Sequence, residues 1–170
     1  ILEAKDCQIW SVHPDEMVQT AIQLMVDENI GALLVMEGEK LVGILSERDF
    51  TRHIIGESRD ASITRVGEIM TRDVVSASPD QSVEDCMRLM TFGRFRHLPV
   101  LIGDEVIGML TVNECTALYA GGTFGEIADF YIVPAHRSRG LGSRLVDAAA
   151  TFGRERYWPF IEVGAPAQPR

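Results

Sequence analysis

The sequence predicts an α/β protein made of two copies of one β-α-β-β-α unit, followed by a short β-α-β segment. The first observation is an internal repeat: Pro14-Asp15 recurs as Pro79-Asp80, an offset of 65 residues that holds without a gap from Ser11 to Glu114. The second is the apolar pattern, which alternates between helical spacing and short apolar runs in both copies. The third is a change of composition after Gly121, where the repeat ends.

Each element of the unit has its own signal. Helical spacing predicts helices that begin near Val18 and Val83, each after an acidic turn. Apolar runs predict strands over 32–36, 41–45, 98–101 and 106–110, and turn glycines separate the strands of each pair. Ser46 and Thr111 are good N-cap residues, so a short helix is predicted to begin at each of them.

Composition excludes several classes of protein. The chain has 170 residues and 18.8 kDa, with a formal charge of −9 and a pI of about 4.9. An acidic chain of this kind is not expected to bind nucleic acid or an anionic membrane. The three cysteines, Cys7, Cys86 and Cys115, are far apart and form no CxxC motif. A cytoplasmic protein without disulfides or a metal site is therefore expected.

The repeated segments resemble the CBS-domain tandem known as the Bateman module, over about residues 5–119. The resemblance is carried by the segments Ile30–Val35, Gly43–Asp49, Ile69–Thr71, Arg96–Val100 and Gly108–Thr111. It implies a pseudo-twofold pair of small α/β domains with boundaries at 1–61 and 62–119. It also implies a homodimer formed through the CBS modules and a cleft between the repeats that binds an adenine nucleotide such as AMP, ATP or NADH.

Gly43, Ser46 and Asp49 form the pattern that suits such a ligand best. A glycine permits close approach of backbone and ligand, a serine hydroxyl can bond a sugar or phosphate oxygen, and a carboxylate can accept two ribose hydroxyls. The alternative is structural, with Ser46 capping a helix and Asp49 serving its first turn. The second copy has Thr111 and Glu114 instead, and the longer acid predicts two unequal sites, the better one around Asp49.

The resemblance also implies the remaining contacts. Adenine would lie near Val12 and Ala32, and the phosphate would meet Arg96 or Arg72, although a surface arginine is more often a solvated charge. The predicted nucleotide-binding residues are Val12, Gly31, Ala32, Ser46, Arg48, Asp49, Thr71, Arg72, Arg96, His97 and Thr111. No nucleophile–base pair is visible, so the module is expected to bind and sense, and no catalytic residue is predicted.

The segment 120–170 has a different character. A strand over 126–133, a glycine-rich loop and a helix over 143–157 resemble motif A of the GNAT acyltransferases, with R-x-x-G-x-G at residues 137–142. Backbone N–H groups of such a loop bind a pyrophosphate, which the resemblance implies to be that of acetyl-CoA. The residues concerned are Arg137, Arg139, Gly140, Gly142 and Ser143. Only the central β-α-β portion of that family's domain is present, so it must pack on the repeats, pair with a second chain or remain poorly ordered.

The predicted function is a regulatory module that binds an adenine nucleotide. Two alternatives remain open from the sequence. The first is a CoA-dependent N-acyltransferase, or its inactive remnant, in the C-terminal segment. The second is a structural dimerisation module without a ligand.

Overall fold

A computed structural model describes residues 9–81, 83–117 and 122–133, and within the last part of the chain residues 135, 140, 143, 146–147, 150–151, 153–154 and 156–163. The chain forms two compact units. The first comprises Ile9–Val74 with the turn Gly103–Glu105, and the second comprises Val75–Ile102 and the described residues from Val106 onward. The division into 1–61, 62–119 and 120–170 stays a prediction.

The first unit is a small three-stranded sheet with helices. Its elements are β1 (Ser11–Val12), α1 (Val18–Glu28), β2 (Ala32–Glu37), β3 (Lys40–Ser46), α2 (Glu47–Phe50), a π-helical turn (Thr51–Ile55) and α3 (Val66–Ile69). The sheet order is β1-β2-β3, with β1 parallel and β3 antiparallel to β2. The apolar stripe of α1 packs on the sheet, and Val18, Leu33, Val35, Leu45 and Val66 lie at the centre of this core.

The second unit repeats this design. Its elements α4 (Val83–Gly93) and β4 (His97–Ile102) lie 65 positions after α1 and β2, and β5 (Glu105–Ala117) begins 65 positions after β3. Both long helices end in a Schellman motif on a left-handed residue, Asn29 (φ 52°) and Arg94 (φ 54°). The turn glycines Gly38 and Gly103 have φ values of 62° and 60°. The structure therefore confirms the internal repeat.

The two repeats part at the residue pair Ser46 and Thr111. In the first repeat the strand ends at Ser46 and α2 begins, whereas β5 continues through Ala117 and pairs with β6 (Gly122–Ile132). The predicted helix at Thr111 is therefore wrong. The β-branched residues Thr111, Val112 and Thr116 favour an extended chain, and the adjacent strand β6 satisfies the backbone hydrogen bonds of this segment.

The C-terminal segment completes the sheet of the second unit. The described residues from 143 to 154 are helical, and β7 (Ile161–Val163) lies parallel to β6, giving the order β4-β5-β6-β7. The predicted β-α-β order is confirmed. Of the three arrangements open from the sequence, the structure adopts packing on the repeat. Strand β6 covers the edge of β5, which would otherwise be exposed.

Trp158 joins the C-terminal segment to the core of the second repeat. Its indole is buried with Leu98, Val112 and Ile127. A Cβ atom added to Gly125 would collide with the Trp158 ring, so glycine is required on the facing strand. The preceding helix ends in a Schellman motif with Tyr157 left-handed at φ 59°, which turns the chain so that Trp158 points inward.

We expect Trp158→Ala to lower the free energy of unfolding of the second unit by about 3–5 kcal/mol, because it empties a large core position. Urea unfolding monitored by circular dichroism measures this change. Tyr157→Gly is the control, since its side chain is 93% exposed and glycine tolerates the left-handed backbone. A cost for Trp158→Ala no greater than that of the control would contradict this packing.

Candidate functional site

The predicted site residues Ser46 and Asp49 form a polar cluster where β3 passes into α2. One carboxylate oxygen of Asp49, Oδ2, accepts hydrogen bonds from the Ser46 backbone N–H at 2.9 Å and from the Ser46 hydroxyl at 2.6 Å. This is the N3 arm of a capping box, and both side chains are partly buried. Asp49 is thus held in one orientation by two donors on one of its oxygens.

The second oxygen of Asp49 faces a residue from another segment. The Thr71 hydroxyl donates to Asp49 Oδ1 at 3.5 Å, the long limit of a hydrogen bond. Thr71 is fixed by its backbone, which exchanges two hydrogen bonds with Ile44 at 2.9 and 3.0 Å. The Gly31 carbonyl accepts from the Glu47 N–H at 3.2 Å and ties the start of β2 to the same place. Three segments distant in sequence therefore meet at Asp49: the start of β2, the β3–α2 junction and the residues after α3.

Gly43 is required by packing within the first unit. Its predicted close approach to a ligand stays a prediction. A Cβ atom there would lie 2.5 Å from the Met70 sulfur and 3.2 Å from the Thr71 carbonyl oxygen. Glycine is therefore needed so that the segment after α3 can reach β3 and bring Thr71 to Asp49. The sequence analysis missed Met70 and Ile44 as parts of this site, since both carry apolar side chains.

Val12 and Ala32, the residues expected near adenine, lie inside the unit. Val12 is 4% exposed and belongs to the core, and Ala32 is 2% exposed and stands beside Ser46 in the β2–β3 register. Their side chains offer a ligand almost no surface, because packing of the sheet already covers them. Gly31, the neighbour of Ala32, is by contrast partly exposed.

Two predicted cations, Arg48 and Arg72, belong to the same unit. Both are exposed, and the Arg72 guanidinium donates to the Gly67 carbonyl oxygen at 2.6 Å. Arg48 lies in α2 between the two site residues Ser46 and Asp49. Arg96 and His97, the other candidates for phosphate, lie in the second unit at the start of β4, where Arg96 is exposed and His97 half-buried.

Thr111 shows how the second repeat differs. It is the counterpart of Ser46, but it lies within β5 opposite Asp129 and is 2% exposed. Its hydroxyl oxygen is buried without a hydrogen-bond partner. A buried hydroxyl without a partner is unfavourable, and it marks the loss of the polar cluster that Ser46 forms.

The predicted pyrophosphate loop lies mostly outside the described residues. Arg137, Arg139 and Gly142 are outside them, whereas Gly140 is exposed with φ 76° and Ser143 is exposed in the helical segment. These two positions give no geometry for an acyl-CoA site. Within the described part of the chain, no group of three His, Cys, Asp or Glu side chains could hold a metal ion.

The two described cysteines are poor nucleophiles. Burial raises the pKa of the Cys86 thiol, and the nearby Asp85 carboxylate raises it further. Burial also raises the pKa of Cys115, whose thiol donates to Glu126 Oε2 at 3.6 Å. The thiolate form is disfavoured at both positions, so neither is suited to nucleophilic catalysis.

Comparison with known proteins agrees with this architecture. The model of the CBS domain family matches residues 4–56 and 66–121. The chain belongs to the CBS domain family. Proteins that contain this domain are usually regulatory, and the names of the related proteins indicate no enzymatic activity. The family model ends near the last residues of β5, and the GNAT resemblance receives no support from the comparisons.

Two relatives and a solved structure illustrate the similarity. The chain is 38% identical over 105 residues to the mitochondrial CBS domain-containing protein CBSX3 of Arabidopsis thaliana (59% of this chain, 51% of that protein). It is 34% identical over 126 residues to YhcV of Bacillus subtilis (71% and 89%). A putative signal-transduction protein with CBS domains from Burkholderia ambifaria is 45% identical with a TM-score of 0.59, covering 61% of this chain and 76% of that one. The match thus spans about half of the length of CBSX3.

A more distant structure is described with ligands. The CBS domain pair of protein MJ0100, in complex with 5′-methylthioadenosine and S-adenosyl-L-methionine, has a TM-score of 0.55 at 24% identity and covers 62% of this chain and 83% of that one. This likeness shows the fold alone. Among the described residues, no helix combines the length and apolar character needed to cross a bilayer.

Substitutions at the equivalent hydroxyls should have opposite results. We expect Ser46→Ala to lower the free energy of unfolding by about 0.5–2 kcal/mol, because Asp49 loses a hydrogen bond that fixes the start of α2. Thr111→Val should leave stability unchanged or raise it, since the lost hydroxyl has no partner. Urea unfolding of both variants measures the difference. Equal losses would contradict the divergence of the two repeats.

Proposed function

We propose that this chain is a regulatory module that binds an adenine nucleotide of the AMP, ATP or NADH type at the Asp49 cluster of its first unit. The observation that carries the proposal is the unequal use of the two Asp49 oxygens. Oδ2 has two short hydrogen bonds from Ser46, whereas Oδ1 has only the 3.5 Å contact with the Thr71 hydroxyl. A carboxylate has about four acceptor sites in all.

The free capacity of Oδ1 suits a pair of ribose hydroxyls. Two adjacent hydroxyls can donate to one carboxylate, and such charge-assisted hydrogen bonds are stronger than those between neutral groups. Thr71 is exposed, so its hydroxyl can turn from Asp49 to a ligand oxygen without exposing any buried group. Ser46 and the capping box keep the carboxylate in place before the ligand arrives, which lowers the entropic cost of binding.

Cations of the same unit support binding of the phosphate. The Arg72 guanidinium has five N–H donors, and its bond to the Gly67 carbonyl leaves others to face a ligand. Arginine is well suited to phosphate because its donors form a planar fork. The chain up to residue 119 has 10 Lys or Arg and 20 Asp or Glu. Local cations are therefore needed to offset the acidic surroundings of an anionic ligand.

The adenine moiety is expected against the partly exposed Gly31, whose carbonyl accepts from the Glu47 N–H, rather than against the buried Val12 and Ala32. The complex of MJ0100 with adenosine-containing ligands is compatible with this proposal, but at 24% identity it does not carry it. The second repeat is expected to bind more weakly, because Thr111 lies inside a strand. Arg96 and His97 stay predicted phosphate contacts.

Ligand binding would act on the equilibrium between conformations of the module. A nucleotide bound to Asp49 and Thr71 would favour those in which β3, α2 and the segment after α3 are held together. The size of such a shift is limited by the ligand's differential affinity for the two states. For binding to regulate a partner, the module therefore needs a second conformation in which Thr71 no longer contacts Asp49.

We expect Asp49→Ala to weaken AMP binding by roughly 10–100-fold, the loss of about 1.5–3 kcal/mol for hydrogen bonds to a charged group. Isothermal titration of the purified chain at one salt concentration measures the affinity. Thr71→Ala should weaken binding less, since its hydroxyl is only one of the groups around the ribose.

Asp15→Ala is the matched control, because Asp15 is an exposed carboxylate of the same unit that pairs with Arg65 at 2.9 Å. It should bind AMP like the unaltered chain. If Asp49→Ala folds and binds AMP as tightly as Asp15→Ala does, the Asp49 cluster is only a helix cap. If the unaltered chain binds no adenine nucleotide, the structural dimerisation module is favoured.

We further propose that the module forms a homodimer through α4. Phe92 is 86% exposed there, beside a hollow lined by Val75, Leu89 and Phe95, whereas its counterpart in α1 is Asp27. Asp85 and Arg88, which pair within α4 at 3.8 Å, border the same hollow, and opposite charges on one face suit a self-complementary contact. Solved relatives include the CBS-CP12 protein, which is described as hexameric.

We expect Phe92→Asp to halve the molar mass measured by light scattering after size exclusion, because a charge would be buried in an apolar contact. Ile63→Asp is the control, as Ile63 is 73% exposed on the first unit. A dimer that survives Phe92→Asp would exclude α4 as the contact.

A further inference from the structure

We propose that residues 111–117 exchange between two structures: the strand paired with β6 and a short helix equivalent to α2. In this proposal the C-terminal β-α-β segment is an internal competitor that holds the second repeat in its strand form. The inference rests on the repeat itself. It reproduces α1, β2 and the start of β3 as α4, β4 and β5, with a single bridge from Ala77 to Val100 in place of β1, and departs from this pattern at Thr111.

The sequence of this segment carries the signal for the helix. The positions of Ser46 and Asp49 are taken by Thr111 and Glu114, which form a T-x-x-E pattern, a capping-box signature. A backbone hydrogen bond found at the start of α2 also has its equivalent here. The Val112 N–H donates to the Arg96 carbonyl at 3.1 Å, and the equivalent Glu47 N–H donates to the Gly31 carbonyl at 3.2 Å. The bond that fixes the start of α2 therefore already exists in the second repeat.

The strand form has two unfavourable features at Thr111, where the second repeat stops following the first. The β5–β6 register shifts between Thr111 and Val112, as in a β-bulge. The Thr111 hydroxyl is buried without a partner, which costs the desolvation of that group. The helical form would let this hydroxyl act as a cap, as Ser46 does. Strand β5 is thus weakest at the residue where a helix would begin.

The strand form is held by β6 and by Trp158. Val112 and Ile127 are opposite each other in the register and share the core with the Trp158 indole. Arg156 adds a hydrogen bond to the Thr91 hydroxyl of α4 at 3.2 Å. Release of the C-terminal segment removes these contacts together, so the balance between the two forms depends on that segment and not on residues 111–117 alone.

Together with the proposed function, on which this step rests, the exchange has a consequence for ligand binding. In the helical form Thr111 and Glu114 would occupy positions equivalent to Ser46 and Asp49, so a second nucleotide site would exist only when β6 is released. Nucleotide and C-terminal segment would then compete for the same residues. A ligand that binds only the helical form shifts the population toward it.

The first test weakens the strand form. A side chain at position 125 collides with Trp158, so Gly125→Val should detach β6 and β7. We expect the backbone Cα chemical shifts of residues 112–116, measured by NMR on the full chain, to change from strand-like to helix-like values. Gly38→Val is the matched control. It strains the turn of the first repeat at φ 62°, and residues 112–116 should stay strand-like.

The second test locks the strand form. Thr116 and Thr123 are opposite each other in the β5–β6 register, so a Thr116→Cys/Thr123→Cys pair in a Cys115→Ser background can join the two strands. Oxidation should slow amide hydrogen exchange of residues 112–116 at least tenfold relative to the reduced chain, if these amides exchange through release of β6. This arm does not require Gly125→Val to fold.

The outcomes separate the two proposals. Strand-like or random-coil shifts in a folded Gly125→Val chain would overturn the exchange, as would identical hydrogen exchange in the oxidised and reduced pair. AMP added to the reduced chain should increase the helix-like population, and the oxidised chain should show no such change. If AMP alone has no effect while the chemical shifts change as expected, nucleotide binding to the helical form would be contradicted and the exchange would stand.

Discussion

The antiparallel pairing of β5 with β6 is the constraint on which the second half of this molecule depends. It extends β5 from Glu105 to Ala117, covers its edge and brings Ile127 and Trp158 into the core of the second repeat. Without it, the chain after Thr111 would have no partner for its backbone groups and would need a structure of its own, as the equivalent segment has in α2. The pairing of β5 with β6 thus accounts for the different structures of equivalent segments in the two repeats.

The first repeat shows what the undisturbed unit does. Strand β3 ends at Ser46, which donates two hydrogen bonds to the Asp49 carboxylate. Thr71, from the segment after α3, contacts the other oxygen of this carboxylate. Gly43 permits that arrival, because any side chain there would displace Met70. The polar cluster is therefore a product of packing around β3 as much as of its own residues. This makes its integrity sensitive to substitutions that carry no polar group at all.

Much of this architecture could be predicted from the sequence. The pattern shared by the two copies predicts α1 and α4, β2 and β4, and the turn glycines Gly38 and Gly103. Each of these features depends on residues that are close in sequence. The continuation of β5 could not be predicted. Thr111 and Glu114 have the residue types of a helix start, and the strand is decided by pairing with β6, where Thr111 lies opposite Asp129 and Glu114 opposite Gly125. The burial of Val12 and Ala32 was also missed, since a motif shows which residues are near one another and not which atoms face solvent.

The central claim is that the two repeats have diverged into unequal sites, with the Asp49 cluster as the one ready to bind. Isothermal titration of the full chain with AMP, ATP, NADH and acetyl-CoA, in separate runs at one salt concentration, tests it most directly. The account predicts saturable heat with an adenine nucleotide at one tight site per chain, with any second site weaker, and no heat with acetyl-CoA. Heat with acetyl-CoA and with none of the other three would contradict it, as would two equal nucleotide sites per chain.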